Sequence, residues 1–172
     1  MKRIYLLRHA KSSWDDPALG DFERPLNGRG RKAAPRIGKL LRKRDWTPDL
    51  VLCSTAARAA ETWELVGAEL KAQPQVKLLK TLYLATPGQM LRALRRSPRE
   101  AAGLLLVGHN PGIEGLAAQL AGPESKNKPL GRLREKFPTA ALAVLEFDGE
   151  DWSALAAGSC RLTDFVVARD LH

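Results

Sequence analysis

The sequence predicts an α/β fold, a three-layer α/β/α sandwich on a mostly parallel six-stranded sheet with an antiparallel edge strand. Two observations predict it. Apolar runs of strand length alternate with amphipathic segments of helix length through the first two thirds of the chain. The last third then changes style, with two strand-like segments joined by a stretch that has no room for a packed crossover helix.

The elements follow in order. "RIYLLR" at 3–8 is the first strand. Asn27 caps a helix running to about Lys43, with Ile37, Leu40 and Leu41 on one side. "LVLC" at 50–53 is a second short buried strand, followed by a helix from about Thr55 to Leu70 with Ser54 as its cap. "VKLL" at 76–79 is a third such strand, and Thr86 with Pro87 opens a helix to about Arg96 in the manner of an N-cap and N1 proline. "GLLLVG" at 103–108 is the fourth strand, and Pro111 opens a helix that closes near Gly122. Segments 141–147 and 161–168 are two further strands, either antiparallel neighbours or one of them an antiparallel edge. Residues 122–138 are expected to be a mobile loop. No linker or repeat divides the chain, so residues 1–172 are expected to be a single domain.

Composition bounds the function classes. The 172 residues are 44% hydrophobic and 27% charged, ordinary for a globular protein. No apolar stretch has the length of a membrane span. The apolar run in "MKRIYLL" is too short for a signal peptide, and no small-residue cleavage site follows. Cys53 and Cys160 form no CxxC pair, so a cytoplasmic setting with buried thiols, and no metal or cofactor, is expected. The net charge of +9 gathers in 29–44, 92–99 and 126–136. The first two clusters have the spacing of solvated helix faces. They lack the interleaved aromatics that favour nucleic acid, so an acidic protein surface or a phosphorylated substrate is the better partner.

Ligands of open parallel sheets sit beyond the carboxyl ends of the strands. His9 follows the first strand, Ser54 and Arg58 the second, and His109 the fourth. If those strands are parallel, all four side chains stand on one edge. A cation in the first turn of a helix, as at Arg58, opposes the helix dipole and suggests that an anion meets it there. His109 stands beside a helix N-terminus, whose free amides form an anion site, and amides near Asn110 could add donors. His172 is the terminus and is expected to be a tail. Two histidines and two arginines, Arg8 being the second, describe a phosphate pocket in which Ser54 and Asn110 are further candidates.

"LLRHAKSSW", "CSTAARAAET" and "VGHNPGIEGL" together resemble the histidine phosphatase superfamily, the group that includes phosphoglycerate mutases. The short length, RHA in place of RHG, and "RPLNGRGR" resemble its small SixA-type phosphohistidine phosphatase branch. The resemblance implies that His9 is the nucleophile, that Arg8 and Arg58 bind phosphate oxygens, and that His109 is the second histidine at the phosphoryl group. It also marks departures. Lys11 and Asp15 stand where mutase-like members carry a glutamate and an asparagine, and "KTLYLATPGQ" lacks the general-acid glutamate.

The missing acid bears on the substrate. An ester leaves as an alkoxide and needs a proton, whereas phosphohistidine leaves as imidazole, with an unperturbed pKa of about 6.5. Dephosphorylation of protein phosphohistidine, on a phosphotransfer or receiver domain, is therefore the favoured reading. The alternative is a phosphomonoesterase of small esters, with Asp15, Asp21 or Glu23 supplying the proton. A phosphate-binding module without turnover and a nucleic-acid binder are the other classes weighed.

Overall fold

The computed structural model describes residues 1–171; His172, expected to be a tail, lies outside the described residues. Strands β1 (Lys2–Arg8), β2 (Leu50–Ser54), β3 (Gln75–Leu79), β4 (Gly103–Gly108), β5 (Leu142–Phe147) and β6 (Cys160–Val166) form one sheet in the order β3-β2-β4-β1-β5-β6. The pairings among β1 to β4 are parallel. β5 runs antiparallel to β1 and to β6, which confines the antiparallel pairing to one side of the sheet.

The apolar runs are continuous because both faces of the sheet are covered. Successive side chains of a strand point to opposite faces. Thus Ile4, Leu6, Leu104 and Leu106 pack with Met90, Leu94, Ile113 and Leu116 of helices α3 (Pro87–Arg95) and α4 (Gly112–Leu120). The intervening Tyr5, Leu7, Leu105 and Val107 pack with Ile37, Leu41, Trp63 and Val66 of α1 (Gly28–Lys43) and α2 (Ala57–Gly67). Each such aliphatic side chain contributes about 1.5–3 kcal/mol by leaving water. A polar residue in the middle of β1 or β4 would therefore open one of the two layers.

Local signals set the helix starts. Asn27 Oδ1 accepts from the Gly30 amide at 2.9 Å, and Thr86 with Gln89 forms a reciprocal capping box ahead of Pro87. Three expectations are corrected. α2 begins at Ala57 with Ala56 at the cap position, and Ser54 is the last residue of β2, its hydroxyl shared between the Ala56 amide and His109. β3 is an exposed edge strand with β2 as its one neighbour, and Leu78 is 55% exposed. Residues 122–138 are no loop throughout, since they hold α5 (Asn127–Glu135). Pro129, Gly131 and an uncapped start hide this helix from local reading. Burial of Leu133, the Lys126 amide on Leu162 O at 2.9 Å and Arg132 Nη1 on Phe165 O at 3.1 Å hold it to β6.

The topology also makes the crevice. β1 and β4 are neighbours, yet the helix after β1 covers one face and the helix after β4 the other. Ligands collect where connections diverge in this way. Register pairs Arg8 with Gly108, so the residues that follow, His9 and His109, face each other across the gap.

Candidate active site

His9 is fixed by its backbone before its ring is considered. Its amide donates to Gly108 O at 3.0 Å, and the Ala140 amide bridges the carbonyls of Arg8 and His9 at 3.1 and 3.0 Å. The next amide, Ala10 N, donates to Thr62 Oγ1 at 2.9 Å, and the Thr62 hydroxyl donates to Arg58 O at 2.7 Å. One buried threonine therefore ties the His9 segment to the first turn of α2. Gly30 backs the same segment from α1, where a Cβ would lie 2.2 Å from Lys11 O.

The ring has a defined proton. His9 Nδ1 lies 2.8 Å from Ala10 O. A carbonyl only accepts, so Nδ1 carries the hydrogen and Nε2 keeps its lone pair in the neutral ring. Burial pushes the imidazole down to about 4, Arg58, Arg8 and Arg24 push the same way, and the Ala10 bond opposes them. His9 is thus a neutral, oriented imidazole with its Nε2 lone pair available near neutral pH.

His109 stands with its ring centroid 5.2 Å from that of His9. Its Nε2 lies 2.8 Å from Ser54 Oγ, which also accepts the Ala56 amide at 3.2 Å. When the serine hydroxyl donates to Nε2, the His109 proton sits on Nδ1, an atom buried with no partner. Burial, His9 and Arg58 bring its pKa down to about 3. The Nε atoms of Arg8 and Arg58 are likewise buried and unpartnered. Leaving a buried donor unpaired costs about 1–3 kcal/mol, more for charged groups. Three such donors on residues that line one cavity with a neutral imidazole suit an oxyanion.

Sequence reasoning missed three contributors and gave a fourth a different role. Arg24 is buried, with Nη1 2.7 Å from Ser12 Oγ and 3.1 Å from Ser13 O, and its guanidinium lies 3.5 Å from the Trp14 ring centroid. Arg24 was within reach, as the first arginine of the quoted "RPLNGRGR"; Thr62 and Tyr83 carry no local signal. Asp21, foreseen only as a proton donor, is an ion-pair hub. Its carboxylate takes Arg58 Nη2 at 3.0 Å, Arg24 Nη2 at 3.0 Å and the Tyr83 hydroxyl at 2.5 Å. The Tyr83 bond, followed by those of Arg24 and Arg58, holds its pKa down to about 2.

A cavity of about 230 Å³ is lined by Arg8, His9, Arg58, His109 and Asn110, together with Arg24 and Lys11. The structure therefore brings Arg8, His9, Arg58 and His109 together. Asn110 lines the cavity with its side chain already engaged, Nδ2 on Phe137 O at 3.2 Å and Oδ1 accepting from the Glu114 amide at 3.2 Å. Ser54 is fully buried behind His109 and is not on the cavity wall. Asp15 and Glu23 are exposed and off the wall as well. Cys53 and Cys160 are buried free thiols. Among the described residues, no three His, Cys, Asp or Glu side chains are grouped to hold a metal ion.

Comparison with known proteins agrees with this geometry. Residues 4–82 match the model of the histidine phosphatase superfamily (branch 1). The chain is 37% identical over 164 residues to the uncharacterized protein Rv1276c of Mycobacterium tuberculosis, covering 95% of this chain and 100% of that one. A solved structure from Agrobacterium tumefaciens, assigned as the phosphohistidine phosphatase SixA, superposes with a TM-score of 0.79 at 33% identity, covering 96% of this chain and 97% of that one. A second, from Nakamurella multipartitia and assigned likewise, gives 0.84 at 29% identity, over 96% and 95% of the two chains. With its motifs meeting at the β1–β4 crevice, the chain belongs to the histidine phosphatase superfamily, in the SixA-type branch.

Proposed function

We propose that this protein hydrolyses phosphohistidine on other proteins, with His9 as nucleophile, and that it works in the cytoplasm in phosphorelay signalling. The observation that carries the reading is the neutral His9 Nε2 set among the unpartnered buried Arg8 Nε, Arg58 Nε and His109 Nδ1. Phosphoryl transfer asks mainly for in-line positioning and positive charge on the equatorial oxygens. Arginine supplies both, since its planar fork donates in parallel and stays charged.

In the first step His9 Nε2 attacks phosphorus, the P–Nε2 bond forms, and the P–N bond of the substrate breaks. The substrate ring, protonated on its other nitrogen, departs as neutral imidazole. In the second step water attacks the phosphoryl group on His9. The P–Nε2 bond breaks, neutral His9 is restored, and dihydrogen phosphate leaves with both water protons. Nδ1–H, held on Ala10 O, makes the phosphorylated ring a good leaving group without any further proton.

The state of Asp21 supports a P–N over a P–O substrate. An ester needs an acid at the leaving oxygen, and a carboxyl held down to about 2 between two arginines is ionised at working pH. The buried free thiols Cys53 and Cys160 accord with a reducing compartment. The deciding measurement is kcat/KM for a chemically phosphorylated histidine protein against a panel of alkyl, sugar and nucleotide monophosphates. A large P–N preference that survives Asp15→Asn, Asp21→Asn and Glu23→Gln upholds the reading. A ratio near or below one overturns it.

A further inference from the structure

Beside the catalytic cavity lies a second, larger one of about 430 Å³, and the two share Lys11 and Thr139 as a common wall. Lys11, Arg29, Lys32, Arg36, Lys136 and Arg169 line it, and no carboxylate does among the described residues. Arg29, Lys32 and Arg36 are spaced i, i+3, i+7 and form one stripe of α1. The other cations come from three separate places: the segment after β1, the end of α5 and the 3₁₀ turn Ala168–Asp170. All six are exposed, and none is in an ion pair among the described residues. The other cations of α1 are mixed, with Lys39, Arg42 and Lys43 also outside any ion pair among the described residues. Arg31 pairs with Glu61 at 2.7 Å, and Arg44, at the helix end, approaches Asp164 at 3.9 Å. Like charges in one trough repel one another, and what sets these six apart is that they share a single concave wall without a carboxylate among the described residues, which suits an anionic partner.

Two apolar side chains stand on the mouth of the catalytic cavity itself. Trp14 is 74% exposed, and Leu84 is 55% exposed with φ at 50°. A bulky residue in the left-handed region is an outlier, and such strain concentrates at functional sites. Exposed tryptophan and leucine have no use for a small polyanion. One tryptophan with Arg24 already on its ring is also no platform for successive bases. An aromatic anchor beside an arginine with a charged flank is instead the anatomy of a protein interface.

We propose that the trough and this rim form a docking surface for an acidic protein face, that of the protein bearing the phosphorylated histidine. Carboxylates of the partner enter the cationic trough, Trp14 and Leu84 contact its surface next to the modified side chain, and the phosphoryl group reaches His9 over Lys11. The proposal rests on the phosphohistidine reading for the identity of that partner. Rim charges of this kind act on association rate and its salt dependence more than on chemistry.

The test uses the full chain, a histidine-phosphotransfer domain of acidic pI phosphorylated with phosphoramidate, a phosphorylated histone as basic counterpart, and free N-phosphohistidine. The triple variant R29E/K32E/R36E should raise KM for the acidic domain at least tenfold and flatten its salt dependence. Its kcat, and its kcat/KM for N-phosphohistidine, should stay within twofold of wild type. The pair K136E/R169E, on the opposite wall, should act in the same direction and covers any misfolding of the first variant. R92E/R96E, on α3 and at its C-cap, changes net charge elsewhere and should leave all values unchanged. Wild type that prefers the phosphohistone, or a triple variant that loses the small substrate equally, overturns the docking surface. If wild type cleaves only esters, the phosphohistidine reading falls and docking is decided by binding of the unphosphorylated acidic domain. Binding that weakens tenfold in the triple variant upholds the surface. Absence of binding, or tighter binding of a single-stranded RNA oligonucleotide, overturns it.

Discussion

Arg58 meets Asp21 with both terminal nitrogens, Nη1 on the main-chain oxygen at 2.7 Å and Nη2 on Oδ2 at 3.0 Å, while its buried Nε has no partner and each Nη keeps a second N–H. A carboxylate thus sits where a second anion would compete for the same fork. Asp21→Asn retains the main-chain bond and removes the charge, so orthophosphate and tungstate should inhibit several-fold more tightly, read from competitive inhibition constants. The same variant reports on stability. The folded pKa of Asp21, about 2, is below the unfolded value of 3.8. Its contribution is therefore present above pH 3.8 and lost as pH falls through 2. Urea midpoints of wild type and variant should differ at pH 7 and converge at pH 2.

The depressed imidazoles set the pH profile. With His9 near 4, the acid limb of kcat/KM should fall near pH 4 and not near 6.5. An imidazole signal of the free enzyme assigned to His9 and titrating above pH 6 would contradict this. Stability carries the matching sign. Below pH 6.5 the unfolded chain takes up protons that buried His9 and His109 refuse, so stability should decline from 6.5 toward 4 and then level off for His9.

His9→Ala should abolish turnover, because the other neutral imidazole of the cavity, His109, has its acceptor Nε2 occupied by the Ser54 hydroxyl. Quenched reactions of wild type with labelled substrate should leave acid-labile, base-stable label on the peptide that contains His9. Arg58→Ala should cost about 10²–10³ in kcat, the usual effect of deleting one positioned donor, about 3 kcal/mol.

Thr62→Val tests the link between the two halves of the site. It removes the acceptor of the Ala10 amide, 2.9 Å away and buried, while keeping shape. A loss of about 1–3 kcal/mol in unfolding free energy is expected. A kcat decrease with KM near wild type should accompany it, since both His9 and Arg58 lean on this side chain. Stability loss with unchanged kcat would reduce Thr62 to a packing role.

Trp152 marks the far end of the molecule. It is fully buried, stacked on Phe147 at 5.8 Å, covered by Lys2 Nζ at 4.9 Å, and donates from Nε1 to Ala101 O at 2.9 Å. Trp152→Ala should destabilise by about 3–5 kcal/mol in chemical denaturation. The activity of the folded fraction should be unchanged.

What the sequence determined by itself was whatever short-range physics controls. Continuous apolar runs marked β1, β2 and β4 because both faces of the sheet are covered, and Asn27 and Thr86 marked helix starts because their side chains bond amides three residues on. Parallel order then brought Arg8, His9, Arg58 and His109 to one edge, since Arg8 ends β1, His9 and His109 directly follow β1 and β4, and Arg58 lies in the first turn of the helix after β2. Only the tertiary structure decided the rest. α5 forms over Pro129 and Gly131 because β6 supplies partners to Lys126 and Arg132. Ser54 caps no helix because β2 extends through it and α2 starts three residues later, which leaves its hydroxyl to meet His109, 55 positions away. Asp21 is an ion-pair hub because Arg24, Arg58 and Tyr83 converge on it, the last from 62 positions away. A carboxylate's pKa, a hydroxyl's partner and a weak helix depend on neighbours in space, and adjacency along the chain does not encode them.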